Sequence, residues 1–267
     1  MLLLLALLLL CNGVGNVHCA RIHESSVDLH ALLDFKQGIN NPQEALSSWN
    51  ITTHFCHWHG VNCTTAPPFR VSSLKLTDLD LAGQISSSLG NLTFLGTLDL
   101  SYNTFVGPLP VLGHLQQLQT LSLNNNRLNG MIPDSLTNCS SLDIVGQIPP
   151  NLDLLSSLTY LSLSSNMLVG QIPSKLDSLS KLATFDLSKN RLVGQIPPKL
   201  DSLSMLDTLD LSHNMLVGQI PPKLGFLSEL RYIDFRSNKL EGNIPNELGQ
   251  LLSLQVLLLG DNYLSGE

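Results

Sequence analysis

Apolar and polar positions alternate in short runs that recur along most of the chain. A typical run holds two leucines with one residue between them, and this alternation predicts short β-strands. A glycine and an Ile-Pro step follow most runs, and since proline cannot donate a backbone hydrogen bond, we expect an irregular connection there. Eight apolar pairs can be read, at Leu74 and Leu76, Leu98 and Leu100, Leu121 and Leu123, Leu161 and Leu163, Phe185 and Leu187, Leu209 and Leu211, Ile233 and Phe235, and Leu257 and Leu259.

An asparagine behind each strand fixes the period of the pattern. From Asn166 onward it recurs at a constant interval, and a glycine follows four positions later each time. A side-chain amide carries donors and an acceptor, so an asparagine at the end of a strand can satisfy the backbone where the chain bends. We therefore predict a buried polar ladder with a structural role, formed by Asn103, Asn126, Asn166, Asn190, Asn214, Asn238 and Asn262.

This period, order and leucine content are those of a leucine-rich repeat, in which each unit buries its apolar side chains by stacking on its neighbours. The fold prediction is α/β: a right-handed solenoid with a parallel β-sheet on the concave face, an irregular or 3-10 convex side and a helical N-terminal cap. The predicted boundaries are 1–20 for a signal peptide, 21–69 for the cap and 70–267 for the array, which is expected to end in mid-repeat.

One interval breaks the period. The separation of Asn126 and Asn166 is longer than one repeat but shorter than two, so we interpret the stretch near 140–150 as a repeat that has lost part of its sequence. Leu142, Asp143 and Ile144 are expected to form a shortened strand without a ladder asparagine. Because unsatisfied backbone groups would weaken this rung, we expect the solenoid to open there.

The N-terminal region predicts a secreted chain with a capped array. The opening run, MLLLLALLLL, is too short to span a bilayer and predicts a signal peptide cleaved near Cys19 or Ala20. Apolar spacing predicts a helix over 28–37, with helix caps at Ser25 and Ser26, and the Asn-Pro step at 41–42 predicts a second short helix through Trp49.

Cys56 and Cys63 lie close together in the predicted cap, with His54, His57 and His59 around them. In an oxidising compartment the two cysteines predict a disulfide. A zinc site is the alternative, but the paired ligand spacing typical of zinc is missing, so we favour the disulfide and expect no metal and no cofactor.

Composition and charge limit the partners. Apolar side chains make up 43% of the chain and charged ones 13%, which suits a continuous core. The formal net charge of -7 offers no basic surface, so we expect no nucleic-acid partner. Asp210, Ser212 and His213 do not predict catalysis, because adjacent side chains on a strand diverge and no oxyanion glycine accompanies them.

Several motifs carry a resemblance to a known family. The cap ALLDFKQGINNPQEALSSWN, the following CHWHGVNC and repeats of the form LxLxxNxLxGxIPxxLxxLxx resemble the extracellular part of plant leucine-rich-repeat receptor-like kinases. RVSSLKLTDLDLAGQISSSLGNLTFL and LTNCSSL are similar to the subgroup that contains the EF-Tu receptor and related immune receptors. Since the chain carries no kinase motif, the resemblance is to a truncated receptor.

The resemblance implies a function in defence or developmental signalling. An ectodomain of this family binds a peptide or protein ligand on its concave or inner lateral surface and recruits a co-receptor with a short leucine-rich-repeat ectodomain. The expected location is the secretory pathway and then the apoplast, or the cell surface if the chain is part of a longer receptor.

Residues between and beside the strand leucines point to the concave face, where a ligand would bind. Tyr and Arg combine contact area with hydrogen bonds, so residues that depart from the repeat default are the candidates for recognition. These ligand-binding candidates are Tyr160, Lys189, His213, Tyr232 and Arg236. Asp186, Asp210 and Asp234 recur at one position, and we interpret them as a solvated acidic row in preference to the alternative, a stripe that recognises a cation.

Four Asn-x-Ser/Thr sequences, at Asn50, Asn62, Asn91 and Asn138, are candidate glycosylation sites. Asn62 and Asn138 are each followed by a cysteine, so we expect occupancy at Asn50 and Asn91 first.

Two other functions fit the same repeat. One is a secreted inhibitor of microbial cell-wall enzymes, similar to the polygalacturonase inhibitors, although the C-terminal cysteines of that family are missing here. The other is a receptor fragment without an independent function.

Overall fold

The computed structural model describes residues 16–40, 45–112, 114–133 and 155–266. The predicted leucine-rich-repeat solenoid is confirmed: the described chain coils through two parallel sheets joined by irregular and 3-10 segments. Helix α1 spans Asn16–Gln37, and the 3-10 helices are Phe55–His57, Ser87–Asn91, Asp177–Leu179, Pro198–Ser202, Pro222–Phe226 and Asn246–Gln250.

The main sheet contains nine strands within the described residues, in the order β1-β2-β4-β6-β8-β10-β12-β14-β16. Only the β1–β2 pair within this sheet is antiparallel; each later strand runs parallel to its neighbour. The strands are β1 (Val61–Cys63), β2 (Val71–Lys75), β4 (Thr97–Asp99), β6 (Thr120–Ser122), β8 (Tyr160–Ser162), β10 (Thr184–Asp186), β12 (Thr208–Asp210), β14 (Tyr232–Asp234) and β16 (Val256–Leu258).

A second sheet follows the bend of each rung. Its strands are β3 (Ala82–Gln84), β5 (Thr104–Gly107), β7 (Arg127–Met131), β9 (Met167–Gln171), β11 (Arg191–Gln195), β13 (Met215–Gly218), β15 (Lys239–Asn243) and β17 (Tyr263–Ser265). Glycines within this sheet, such as Gly170, Gly194 and Gly218, adopt a positive φ, which is 81° at Gly194. A Cβ on Gly194 would lie 2.9 Å from Cγ of Gln171 in the preceding rung, so the glycine is needed for both conformation and contact.

The asparagine ladder forms as the sequence pattern predicts. Asn214 Nδ2 donates to the carbonyls of Leu187, Leu211 and Ser212 at 3.0, 3.1 and 3.2 Å, and its Oδ1 accepts the Leu192 amide at 3.0 Å. The residue before each ladder asparagine is left-handed, as at His213 with a φ of 53°. Because this conformation is unfavourable for L-residues, the ladder hydrogen bonds are what hold the bend.

The N-terminal cap closes the first turn. Helix α1 places Asp28 at the start of β2, where its Oδ1 accepts from Arg70 Nη2 at 2.7 Å and its Oδ2 accepts the Val71 amide at 2.8 Å. Asp28 is fully buried and Arg70 nearly so, which makes this ion pair a fixed link between the cap and the array. The rings of Trp49 and Trp58 also stack within the cap, at 5.2 Å between centroids.

The disulfide between Cys56 and Cys63 is formed, with a Cα–Cα distance of 5.5 Å. The helix predictions for the cap need correction. Helix α1 begins at Asn16, so Ser25 and Ser26 lie inside it rather than at its start; 17–24 contains neither glycine nor proline to stop propagation. Residues 45–48 form a turn instead of a helix, and the Asn-Pro step predicted to begin it lies outside the described residues.

The long interval, between Asn126 and Asn166, separates two rungs that are direct neighbours. Residues 120–122 of β6 pair with 160–162 of β8, and β7 pairs with β9 in the second sheet. The two rungs therefore pair directly in both sheets, and the predicted shortened rung near 140–150 falls on residues outside those that the structure describes. Leu142, Asp143 and Ile144 lie outside the described residues.

Candidate functional site

The concave face of the main sheet carries two rows of side chains. Residues one and three of each strand point to this face, while the middle residue, such as Phe185 or Leu209, is buried in the core. Parallel pairing without shifts keeps equivalent residues side by side along the sheet. The first row is Thr97, Thr120, Tyr160, Thr184, Thr208 and Tyr232; the second row is Asp99, Ser122, Ser162, Asp186, Asp210 and Asp234.

Two tyrosines interrupt the first row. Tyr160 and Tyr232 are separated by β10 and β12, three strand spacings or about 14 Å. Tyr160 is 37% exposed and Tyr232 is half-buried. Burial, reinforced by the neighbouring negative charge of Asp186, raises the pKa of Tyr160 above its ordinary value, so its phenol keeps the proton and can donate a hydrogen bond.

Lys189 and His213 occupy the left-handed position before the ladder asparagine of adjacent rungs, each with a φ of 53°. Both side chains are exposed. The Lys189 amide donates to the carbonyl of Ser212 at 2.8 Å, which fixes the two turns against each other. Lys189 and His213 therefore lie beside the second row. They belong to the same rungs as β10 and β12, the two strands between Tyr160 and Tyr232.

The second row ends each strand with a side-chain turn. Asp186 Oδ1 accepts from the backbone amide and hydroxyl of Ser188 at 3.0 and 2.7 Å, and Asp99 accepts from Ser101 in the same way. Asp210 Oδ1 accepts the Ser212 amide at 2.9 Å. An aspartate bonded to the amide two residues ahead stabilises the turn, so the recurring acid has a structural role in every rung that carries it.

Asp234 does not fit the prediction of a solvated acidic row, because it is only 1% exposed. Arg236 folds back onto it, with Nη2 at 2.7 Å from Oδ2 and Nε at 3.1 Å from Oδ1, and Tyr232 Oη donates to Oδ2 at 3.3 Å. Burial alone would raise the pKa of Asp234, but the hydrogen bonds and charge of Arg236 outweigh it and hold that pKa below its usual range.

Asp186 and Asp210 differ from Asp234 in having no such cation. Among the described residues, no Lys, Arg or His nitrogen lies within 4.0 Å of either carboxylate. Burial raises the pKa of Asp210, and the charges of Asp186 and Asp234 on both sides add to this effect. Two half-buried carboxylates therefore stand on adjacent strands without a counter-charge from the described part of the chain.

The five predicted ligand-binding residues share one face but not one role. Tyr160, Tyr232, Lys189 and His213 are available for contact around β10 and β12, whereas Arg236 is engaged with Asp234. In the sequence, Asp186, Asp210 and Asp234 look like one acidic row, but in the structure Arg236 of the same rung neutralises Asp234. A signal was present: Arg236 stands where Ser188 and Ser212 stand in the two preceding repeats.

Asn50 and Asn91 lie away from the concave rows, whereas Asn62 pairs with Ser73, which is in register with Thr97 of the first row. Asn50 and Asn91 are exposed, in the cap and at the end of a convex 3-10 helix, and Asn62 is exposed on β1. Asn138 lies outside the described residues. Within the described chain, no helix has the length and apolar character needed to cross a membrane.

Comparison with known proteins gives matches along most of the array. Residues 25–64 match the leucine rich repeat N-terminal domain, and residues 117–139, 157–179, 181–203, 205–227 and 229–251 match the leucine rich repeat. Two matched repeats flank the long interval, in agreement with the direct pairing of their strands.

Similar proteins come from plant receptors. The chain is 44% identical over 98 residues to the LRR receptor-like serine/threonine-protein kinase EFR of Arabidopsis thaliana, a match that covers 36% of this chain and 9% of EFR. The structure of PEPR1 with AtPEP1 superposes with a TM-score of 0.78 at 32% identity, covering 89% of this chain and 32% of that one.

The Arabidopsis receptor kinase HAESA, in complex with the peptide hormone IDA and the co-receptor SERK1, superposes with a TM-score of 0.72 at 30% identity. That match covers 90% of this chain and 42% of HAESA. The chain thus spans only about a tenth of the curated relatives and less than half of these two ectodomains.

Proposed function

The chain belongs to the leucine-rich repeat family, with plant receptor-like kinases as relatives, and from this premise we propose that it is a ligand-binding ectodomain that recognises an extended peptide. The proposed site is the concave face over β10 and β12, between Tyr160 and Tyr232. The similar structure of HAESA holds a peptide hormone, which supports the same class of ligand here.

One observation carries the proposal. Threonine, serine and aspartate fill most of the two rows, yet tyrosines stand at both ends of a regular four-strand stretch and remain accessible. An extended peptide advances about 3.3 Å per residue, so about four residues would bridge the two rings. Aromatic side chains that carry a hydroxyl supply contact area and hydrogen bonds at low entropic cost, as binding hot spots do.

A selection experiment tests this function. A phage library of random linear dodecapeptides is panned on the purified secreted chain, and the affinities of enriched peptides are measured by calorimetry. Tyr160→Ala and Tyr232→Ala should each weaken binding roughly tenfold or more. Tyr263→Ala, an exposed tyrosine on the second sheet, is the matched control and should leave the affinity unchanged. Failure to enrich any peptide sequence would contradict the proposal.

We further propose that the chain follows the secretory pathway and presents this face outside the cell. Cleavage near Cys19 or Ala20, glycans on Asn50 and Asn91, and recruitment of a co-receptor with a short ectodomain belong to this proposal. The Cys56–Cys63 disulfide supports it, because oxidised cysteines are typical of extracellular compartments. Intact-mass and peptide mapping of the chain secreted from plant cells would establish the new N-terminus and the occupied asparagines.

A further inference from the structure

We propose that the concave face between Tyr160 and Tyr232 selects a peptide that places an arginine side chain on the carboxylates of Asp186 and Asp210. The inference rests on the proposed peptide-binding function and adds the chemistry that the peptide must carry.

Charge complementarity is the first support. Asp186 and Asp210 are direct neighbours in β10 and β12, about 4.8 Å apart along the sheet. Both are half-buried and neither has a cation within 4.0 Å among the described residues. Burial and the adjacent carboxylates raise the pKa of Asp210, which means that its charge is poorly compensated in the free protein. A cation bound between the two would relieve this repulsion.

The adjacent strand shows which cation fits. Asp234 pairs in register with Asp210, and its carboxylate holds the Arg236 guanidinium through Nη2 at 2.7 Å and Nε at 3.1 Å. The two rungs carry the same acid at the same place, but Ser212 replaces the arginine in the rung of Asp210. The protein's own guanidinium, from Arg236, therefore binds the carboxylate of Asp234 in the second row. The carboxylates of Asp186 and Asp210 in the same row are left for a guanidinium of the peptide. A planar, two-pronged donor suits this geometry better than a lysine ammonium.

The surroundings favour a peptide over a free ion. The described part of the chain contains no group of three or more His, Cys, Asp or Glu side chains arranged to hold a metal. Ser162 Oγ on the neighbouring strand also donates to Asp186 Oδ2 at 3.0 Å, so this carboxylate is oriented along the sheet. Tyr160 and Tyr232 lie one strand beyond the two acids, where a guanidinium or its neighbouring residues can stack on a ring.

The test uses the library panned on the intact secreted chain. Enriched peptides should contain arginine at one common position, and replacing that arginine with citrulline, which keeps the shape and removes the charge, should weaken binding to the wild-type chain roughly tenfold or more. The double variant Asp186→Asn and Asp210→Asn keeps the side-chain oxygens that accept the Ser188 and Ser212 amides. In this variant the arginine and citrulline forms should bind equally.

Asp99→Asn is the matched control. Asp99 makes the same turn with Ser101 and lies in the same row, three strands from Asp186, so it tests the loss of one charge away from the site. The control should retain the full arginine preference. Enriched peptides without a cation, or a citrulline effect that persists in the double variant, would overturn the inference and leave the peptide-binding function standing. If no peptide is enriched, both fall.

Discussion

The regular junction between Asn190 and Asn214 and the long junction between Asn126 and Asn166 have very different chain lengths but the same hydrogen bonds. At the regular junction Asn214 Nδ2 donates to Leu187 O at 3.0 Å and its Oδ1 accepts the Leu192 amide at 3.0 Å. At the long junction Asn166 Nδ2 donates to Leu123 O at 3.0 Å and its Oδ1 accepts the Leu128 amide at 2.9 Å.

This equality shows that rungs are matched through their ladder asparagines and not through the length of chain between them. An insertion in a connection costs little, because loop-closure entropy grows slowly with length. A rung without its asparagine would instead leave three carbonyls and an amide without partners, at roughly 1–3 kcal/mol for each buried group. The direct pairing of β6 with β8 across the long interval agrees with the smaller of these two costs.

The largest effect is expected from the asparagines themselves. Asn166→Ala and Asn214→Ala should each lower the free energy of unfolding by roughly 3 kcal/mol or more, since each removes the same four ladder hydrogen bonds. Chemical denaturation of the two variants measures this directly. Asn129→Ala, at an exposed position, is the control and should change stability by less than about 0.5 kcal/mol. A clearly smaller loss for Asn166→Ala would mean that the long junction is weaker than the regular one.

A smaller effect is expected at the glycines of the second sheet. A Cβ at Gly170 would lie 2.8 Å from Met131 Cγ across the long junction, and one at Gly194 would lie 2.9 Å from Gln171 Cγ across the regular one. Gly170→Ala and Gly194→Ala should each cost about 1–2 kcal/mol in denaturation experiments, because both glycines have a positive φ. Adding Met131→Ala should recover only the steric part for Gly170. If adding Met131→Ala recovered nothing, the two rungs that flank the long interval would not be in contact at Gly170.

Deletion of 130–145 should have a smaller effect still. It brings Asn126 and Asn166 to the regular spacing and joins Asn129 to the Gly-Gln-Ile-Pro sequence that begins at Gly146. We expect a melting temperature within about 4 °C of the wild type by calorimetry. Deletion of 194–209, the same length in a regular repeat, removes most of β12 and should prevent cooperative folding. Unfolding of the 130–145 variant would mean that those residues complete the solenoid.

The smallest difference is expected in hydrogen exchange. The Leu123 amide donates to Ser162 O at 3.0 Å across the long junction, and the Leu187 amide donates to Asp210 O at 2.9 Å across the regular one. Their protection factors should agree within about tenfold, since both amides open only when two rungs separate. Much faster exchange of Leu123 would restore the expectation that the solenoid opens there.

The sequence alone determined the repeat. Three features follow from local rules: the even recurrence of asparagine, the alternation of apolar and polar residues around Phe185 or Leu209, and the glycines of the second sheet, such as Gly194. The structure has these features where the sequence pattern predicts them. The Cys56–Cys63 bridge was likewise readable from spacing and compartment. These features are local because each is satisfied within one rung or between one rung and the next.

Only the tertiary structure decided how the irregular parts combine. The sequence interval favoured one shortened rung between the rungs of Asn126 and Asn166, whereas the direct pairing of β6 with β8 depends on contacts between residues far apart in the chain. In the same way, Asp186, Asp210 and Asp234 look equivalent in the sequence. Only the fold of the Arg236 side chain onto Asp234 separates a neutralised acid from two that have no cation among the described residues. The period of the sequence predicts which elements recur. Strand pairing and charge compensation depend instead on contacts between particular residues, which the period does not predict.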